Sequence, residues 1–188
     1  MVMRILHLSY FYGFKRVGGA AIAAARLHNH LLDAGVESHF LCVVQKEEGR
    51  NVIEWPPQGT LTRMIRQLLA KVERNVWRFS RYRRKIDLNV VPLNVARVVR
   101  TLKPDLVHVH WIGSGMVRFE ELAALKVPVV IMAHDFWPVN GFDPCPFADT
   151  RLFDGFTRGN SGGLERWLWG RKVALSRSPF VSYAAPSE

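Results

Sequence analysis

The stretch Arg4–Gly35, RILHLSYFYGFKRVGGAAIAAARLHNHLLDAG, decides the fold of this chain. It begins with an apolar run of strand length, passes through a loop with two adjacent glycines, and ends in an alanine-rich segment. Apolar residues recur there at helical spacing, and Gly35 stands where a helix C-cap is expected. A strand, a glycine turn and a helix in this order are typical of proteins with a parallel sheet.

The rest of the chain continues this alternation of strands and helices. Strands that are apolar on both faces, with helices between them, favour a parallel sheet covered on both sides. We therefore predict one Rossmann-like three-layer α/β/α domain with a mainly parallel sheet over residues 1–188. The predicted strands are Ile5–Ser9, Ser38–Val44, Asp105–Trp111, Pro128–Ala133 and Pro179–Ala185; the predicted helices are Ala20–Ala34, Leu61–Tyr82, Pro92–Lys103, Arg118–Leu125 and Gly163–Ser176; and Asn51–Gly59 is predicted to be a loop, with a short strand before it.

Composition limits the classes of function. The chain has 188 residues, of which 48% are hydrophobic and 22% charged, as in ordinary globular proteins. Its net charge of +10 predicts an anionic partner: nucleic acid, a phosphorylated substrate or an acidic membrane surface. Cys42 and Cys145 are far apart and form no CxxC pattern, so a disulfide framework is not indicated. We see no signal peptide or membrane span and expect a cytoplasmic location.

Most of the basic excess lies in one segment. Residues 60–85 hold nine basic residues and one acidic residue, Glu73, and their apolar residues form one stripe at helical spacing. Two interpretations remain open: an amphipathic helix that binds an anionic membrane surface, and a helix that packs its apolar stripe on the core with a solvated basic back. The first makes the following residues the candidate membrane or anion ligands: Arg63, Arg66, Lys71, Arg74 and Arg78.

The glycine pair, Gly18 and Gly19, comes directly before the first predicted helix. Backbone N–H groups at a helix start are unpaired and carry the positive end of the helix dipole, and glycine lets a phosphate approach them closely. The pair does not fit the GxGxxG pattern, which disfavours a dinucleotide site. Phosphate contact and a plain turn that needs glycine for its dihedral angles remain equal alternatives.

Histidines and aromatic residues follow two other predicted strands. His108 and His110 share one face of a strand that ends at Trp111, and His134 with Asp135 begins the loop HDFWPVNG. Imidazoles and a carboxylate suit zinc or iron, but no further ligand stands at a recognisable spacing, so we disfavour a metal site. In open α/β sheets the loops after the strands meet and bind ligands. We therefore expect these loops to form a pocket together with the glycine turn.

Three segments can be compared with known families: RILHLSYFYGFKRVGGAAIAAARLHNHLLDAGVES (residues 4–38), PDLVHVHWIGSG (104–115) and VVIMAHDFWPVNG (129–141). Together they resemble the amino-terminal half of retaining glycosyltransferases of the GT-B fold, in the large family-four group. Within that group the resemblance is to members that assemble bacterial exopolysaccharide, colanic-acid-type polymers or lipid-linked oligosaccharides.

This resemblance implies a role for each matching residue. Gly18 and Gly19 would approach the diphosphate of a nucleotide-sugar donor, and His134 would lie at the reaction centre. The acceptor side would be lined by His110, Trp111, Asp135 and Trp137. The family's reaction retains the anomeric configuration and needs no metal or other cofactor, and many of its members act on glycan or lipid-linked acceptors at the cytoplasmic leaflet. The resemblance thus favours the membrane interpretation of the basic helix.

Two features depart from the family pattern. Relatives often carry more cysteines after the HDFWP segment, whereas only Cys145 stands here. The second domain of such enzymes, which makes most nucleotide contacts, is not within these residues, so we expect the chain alone to catalyse little. The alternative function is a basic module that binds nucleic acid or another polyanion without catalysis. It leaves the glycine turn and the histidine segments unexplained.

Overall fold

The structure is a computed structural model, described here for residues 2–57, 60–75, 87–141 and 151–185. Within these residues strands and helices alternate along most of the chain. In chain order they are β1 (Arg4–Leu8), β2 (Phe11–Tyr12), α1 (Gly19–Asp33), β3 (Glu37–Cys42), β4 (Val44–Gln45), β5 (Val52–Glu54), α2 (Leu61–Asn75), α3 (Val95–Leu102), β6 (Leu106–Val109), α4 (Phe119–Ala123), β7 (Val129–Met132), α5 (Arg151–Asp154), α6 (Gly163–Ser176) and β8 (Val181–Ala184).

The central sheet has six strands in the order β5-β3-β1-β6-β7-β8, and all its pairs are parallel. The short β2 and β4 pair separately, also in parallel. This sheet with flanking helices confirms the predicted Rossmann-like α/β fold. Because all six strands run the same way, their carboxyl ends lie along one edge, where the loops after β1, β6 and β7 come together.

The two faces of the sheet differ in chemistry because side chains alternate along each strand. One face carries Leu6 and Leu8 of β1 and packs, with apolar residues of β6, β7 and β8, against α3, α4 and α6 in the main core. The other face carries His7 and is covered by α1, whose small Ala24 and Ala25 are completely buried. Polar side chains are therefore concentrated on the α1 face.

Predicted and observed elements agree closely, although the short β2, β4, β5 and α5 were not predicted. The predicted helix Gly163–Ser176 is observed with the same bounds, and most other elements differ by one to three residues at their ends. The segment predicted as the loop Asn51–Gly59 instead contains β5, which pairs with the edge of β3 from Phe40 to Cys42. The long predicted helix Leu61–Tyr82 is observed as α2 up to Asn75, and its remainder lies outside the described residues.

Helix α2 turns its polar face toward the protein. Arg66, Ala70 and Glu73, which follow one another at helical spacing, are buried. The apolar stripe instead faces solvent with 44–70% of each side chain exposed. This contradicts the interpretation in which the stripe packs on the core. The exposed apolar residues are Leu61, Met64, Ile65, Leu68, Leu69 and Val72.

Hydrogen bonds to distant loops explain this orientation. The Arg66 guanidinium donates to the carbonyl oxygens of Met116 and of Gly115, the latter at 2.7 Å. The Glu73 carboxylate accepts the backbone N–H of Asn89 at 2.7 Å. Burial lowers the pKa of Arg66 and raises that of Glu73, because it destabilises the charged form of each side chain. Both charges therefore depend on these hydrogen-bond partners.

The predicted cations of this helix therefore have different positions. Arg66 is only 4% exposed, so it cannot contact an anionic surface, and its prediction as an anion ligand is wrong. Arg63 is partly buried and pairs with Glu54 at 3.0 Å, whereas Lys71 is exposed. The Arg74 side chain and Arg78 lie outside the described part of the chain. Among the described helices, none has the length and apolarity needed to cross a membrane.

We predict that Arg66→Met lowers the free energy of unfolding by about 2–3 kcal/mol, because two buried carbonyl groups lose a charged donor. The midpoint of urea denaturation measures this change. Lys71→Met on the exposed side of the same helix is the matched control and should change stability by less than about 0.5 kcal/mol. Equal effects of the two substitutions would show that Arg66 does not anchor α2.

Candidate functional site

A cavity of about 300 Å³ lies at the carboxyl ends of β1, β6 and β7. We call it the strand-end cavity. It brings together five of the residues predicted from sequence, which come from three separate loops. Its lining residues are Phe11, Gly18, Gly19, Ala20, Ala21, Trp111, His134 and Asp135.

The glycine pair forms one wall of this cavity at the start of α1. Gly18 is the N-cap with φ −73° and ψ 162°, which any residue can adopt, and Gly19 is already helical. A Cβ atom added to either glycine would meet no atom within 4 Å. Neither backbone conformation nor protein packing therefore requires glycine here, which argues against the plain-turn alternative. The glycines leave open space beside the positive end of a 15-residue helix.

Aromatic rings form a second wall. The Trp111 ring is parallel to that of Phe11, with 6.0 Å between their centroids and 7° between their planes. Tyr10 meets Trp111 edge-on at 5.7 Å, and its backbone N–H donates to the Trp111 carbonyl at 2.8 Å. A flat apolar surface held in this way suits the face of a sugar ring or a nucleotide base.

His134 and Asp135 occupy the third wall, at the end of β7. The His134 backbone N–H donates to the Met132 carbonyl at 3.1 Å, and one Asp135 carboxylate oxygen accepts the Trp137 N–H at 2.9 Å. Burial lowers the pKa of His134, and the smaller effect of the Asp135 charge raises it. The ring is therefore neutral near pH 7 and can either donate or accept one hydrogen bond at its free nitrogen.

His110 lies behind His134 rather than in the cavity wall. It is 5% exposed, and its Nδ1 lies 3.3 Å from His134 Nε2. Its own Nε2 lies 3.2 Å from Nδ1 of His7, a fully buried residue of β1. His110 therefore contacts His134 but does not line the cavity, where the resemblance implied an acceptor-binding role for it. His7, which the sequence pattern did not indicate, contacts His110 from the other side.

His7, His108 and His110 bring one ring nitrogen each to within 4.8 Å of one another. No metal ligand was predicted beyond His108, His110, His134 and Asp135, because the sequence pattern does not reveal that His7 pairs with His108 across neighbouring strands. Three imidazoles are a donor set that zinc accepts. His7 and His110, however, already hydrogen-bond each other, and this contact competes with a metal for their ring nitrogens. Metal independence stays a prediction.

Trp137, the other residue predicted on the acceptor side, lies outside the cavity lining. Its ring packs against Phe119 at 5.8 Å and against the Lys172 ammonium at 4.1 Å. Lys172 is 3% exposed and donates to the carbonyl oxygens of Trp137, Asn140 and Gly141, so it anchors the turn that follows Asp135. Burial lowers the pKa of Lys172 to about 7, while the smaller effects of the Asp135 and Asp87 charges raise it. No feature of the sequence indicated a buried lysine here.

We predict that the protein loses stability as the pH falls below about 6.5. Burial and the neighbouring histidines lower the pKa of His7 to about 3 and of His110 to about 2, from 6.5 in an unfolded chain. Below pH 6.5 the unfolded chain therefore binds more protons than the folded one. Each of the two rings should remove about 1.4 kcal/mol of unfolding free energy per pH unit. Urea denaturation between pH 8 and pH 5 measures this slope.

His7→Phe should reduce that slope by about 1.4 kcal/mol per pH unit, which corresponds to one proton, since of the two rings only His110 remains. His30→Gln, at an exposed position of α1, is the control and should leave the slope unchanged. A stability that does not depend on pH between 6.5 and 5 would contradict the burial of neutral histidines.

Comparison with known proteins bears on the class of function. The model of one protein family, Glycosyltransferase Family 4, matches residues 17–181. Neither the comparison with curated proteins nor that with solved structures gave a match. The matched region includes the glycine pair, both histidine segments and all elements from α1 to the first residue of β8. The chain therefore belongs to glycosyltransferase family 4.

Proposed function

We propose that this chain is the acceptor-side domain of a retaining glycosyltransferase that moves a sugar from a nucleotide-sugar donor to a glycan or lipid-linked acceptor. Family membership supports sugar transfer in general. The observation that carries the proposal is the open glycine pair beside His134: two glycines that neither conformation nor packing requires, at a helix start that faces a cavity. An anionic ligand that approaches the backbone explains them.

Each wall of the strand-end cavity takes one part of this reaction. The donor diphosphate binds at Gly18 and Gly19, where the helix dipole stabilises its charge. The sugar being transferred lies beside His134, whose neutral ring forms a hydrogen bond to it. Trp111 and Asp135 contact the acceptor. His110 and Trp137 contribute indirectly, the first through His134 and the second through the turn after Asp135.

The proposed mechanism relies on positioning and on stabilisation of the leaving charge. The acceptor hydroxyl oxygen bonds to the anomeric carbon on the face from which the diphosphate leaves, and the leaving diphosphate takes the hydroxyl proton. Configuration is retained, and neither a metal nor another cofactor takes part. We assign the nucleotide end of the donor to a second domain of the enzyme.

We further propose that α2 binds an anionic membrane surface, as lipid-linked acceptors would require. The support is the exposed apolar stripe of α2, which lies opposite the polar face that anchors the helix. An interfacial helix buries such a stripe among lipid headgroups without crossing the bilayer. Lys71 is exposed on this helix and supplies positive charge.

The structure does not favour the alternative of a nucleic-acid or polyanion module. Such a module would direct its helix cations at phosphates. Arg63 and Arg66 instead bond to protein groups, and the exposed side of α2 is rich in apolar side chains. This alternative also gives no role to the strand-end cavity.

We predict that Gly19→Ala weakens binding of a diphosphate by about tenfold or more, because the new methyl group occupies the space beside the helix start. The same change should stabilise the fold by about 0.5–1 kcal/mol, since alanine favours a helix over glycine. Titration with inorganic pyrophosphate and with nucleoside diphosphates, followed by NMR, measures binding, and urea denaturation measures stability.

Gly170→Ala is the matched control. Gly170 lies inside α6, and its added Cβ atom also meets nothing within 4 Å. This variant should gain similar stability and bind pyrophosphate as the unmodified chain does. If Gly19→Ala bound pyrophosphate equally well, the glycine pair would not be the phosphate site, and the proposed function would lose its main support.

We predict that the double variant Met64→Gln, Leu68→Gln binds anionic vesicles at least about tenfold more weakly, because it removes two side chains that would enter the lipid interface. Co-sedimentation with vesicles of phosphatidylcholine and phosphatidylglycerol at low salt measures this. Phe153→Gln is the matched control, since Phe153 is 88% exposed on α5, away from this stripe.

Two outcomes would contradict the membrane proposal. The unmodified chain could fail to sediment with these vesicles even at low salt. Alternatively, light scattering could show a dimer that the double variant abolishes, in which case a second copy of the chain would cover the stripe.

A further inference from the structure

We propose that His7, His110 and His134 form a hydrogen-bonded chain in which each ring donates toward the strand-end cavity, so that His134 presents a protonated Nδ1 to a ligand oxygen. His7 and His110 are then positioning residues, because they act through His134. The hydrogen-bond order stands on the geometry alone. Only the identity of the ligand oxygen, on a phosphate or a sugar hydroxyl, rests on the proposed function.

The backbone of the sheet fixes this chain of rings. His7 belongs to β1, and His110 and His134 follow the ends of β6 and β7; these are consecutive strands of the sheet. The ring nitrogens are 3.2 Å apart between His7 Nδ1 and His110 Nε2, and 3.3 Å apart between His110 Nδ1 and His134 Nε2. The His110 backbone N–H also donates to the Leu8 carbonyl at 2.8 Å, which holds His110 beside β1.

Only two proton arrangements satisfy both contacts. Each neutral imidazole has one N–H donor and one acceptor nitrogen, so a choice at one ring determines the next. If His7 donates from Nδ1, then His110 donates from Nδ1 to His134 Nε2, and His134 also carries its proton on Nδ1. If His134 donates inward instead, all three rings carry the proton on Nε2.

His7, at the buried end of the hydrogen-bonded rings, distinguishes the two arrangements. His7 Nε2 is buried and has no hydrogen-bond partner in the described part of the protein. In the inward arrangement this atom would carry an N–H with no acceptor, and orphaned buried N–H groups are rare. The cavity end makes less difference, because His134 lines the cavity and its free ring nitrogen can bond to water in either arrangement.

The charge at the cavity end favours the same arrangement. Outward donation points the positive ends of the N–H dipoles toward His134, which is followed directly by Asp135. The Asp135 carboxylate stabilises positive charge on that ring. An anion held at Gly18 and Gly19 on the opposite wall would act in the same direction.

This order gives His134 a defined chemical role. A protonated Nδ1 donates to a ligand oxygen and cannot accept a proton from an acceptor hydroxyl at that atom. His134 would therefore bind and orient the ligand or stabilise developing negative charge, and it would not act there as a general base. Its donor capacity does not depend on the pH near neutrality, because the neutral ring already carries the proton.

Nitrogen-15 NMR of histidine side chains tests this assignment directly. Protonated and bare ring nitrogens resonate far apart, so long-range proton–nitrogen spectra of the chelator-treated full chain at pH 7.5 identify the tautomer of each ring. We expect Nδ1–H on His7, His110 and His134, with a ratio of about ten to one at His134. Exposed His30 of α1 is the internal control and should show the Nε2–H form that histidine prefers in water.

Two variants test whether His110 determines the state of His134. His110→Leu removes the donor, and the ratio at His134 should fall from about ten to one to about one to one or lower. His110→Asn places an amide N–H near the former Nδ1 and should keep Nδ1–H dominant. His28→Gln changes another buried histidine, one bonded to Ser38 and the Arg50 carbonyl, and should leave His134 unchanged.

Several results would overturn the proposal. Nε2–H on all three rings of the unmodified chain would show the inward arrangement. An unchanged ratio at His134 in His110→Leu would show that His110 does not position it. Stoichiometric binding of added zinc that shifts the His7 and His110 nitrogens would replace the hydrogen-bonded chain by a metal site. Expected tautomers without pyrophosphate binding would leave this inference standing and reject only the proposed function.

Discussion

Parallel pairing of β1 with β6 and of β6 with β7 is the constraint on which the site depends. It brings the carboxyl ends of three strands to one edge, although the loop after β1 lies about a hundred residues before the loops after β6 and β7 in sequence. The glycine turn, the Trp111 ring and His134 reach one cavity for this reason. The same pairing sets His7 beside His108 and lets His110 contact both His7 and His134. A change in strand register by one residue would move His7 to the opposite face of the sheet.

Structural features that depend on local patterns could be predicted from the sequence. The apolar runs of β1, β6 and β7 predicted a parallel sheet, and the spacing of apolar residues predicted the helices, since both signals lie within one element. Strand β5 was missed because it has three residues beside two prolines and is held by the edge of β3. The orientation of α2 was left open for a related reason. Periodicity shows which side chains share a helix face, but the partners of Arg66 lie about fifty residues further along the chain.

The candidate site was predictable to the same extent. The glycine pair could be found because a strand, a turn and a helix follow one another directly in sequence. Trp111 and Trp137 both come shortly after strands and looked equivalent, yet only Trp111 faces the cavity. Lys172, from a distant helix, binds the turn carbonyls and packs on the Trp137 ring, which a sequence pattern does not reveal. His7 was overlooked because an isolated histidine in an apolar strand becomes significant only beside its strand partner.

The two faces of the sheet have different roles: one provides the apolar core, and the other holds the buried histidines. Leucine and valine side chains of the main core provide the apolar burial that stabilises the fold. On the other face, small alanines of α1 bring the helix close to the sheet, and the remaining space holds His7 and His28. Neutral imidazoles in this space stabilise the protein less than apolar groups would, because they lose hydration, and the His7 and His108 Nε2 atoms have no hydrogen-bond partner among the residues that the structure describes. An apolar core would avoid that cost. The hydrogen-bonded path from the core to His134 needs the buried rings of His7 and His110, so we attribute these two histidines to the site and not to folding.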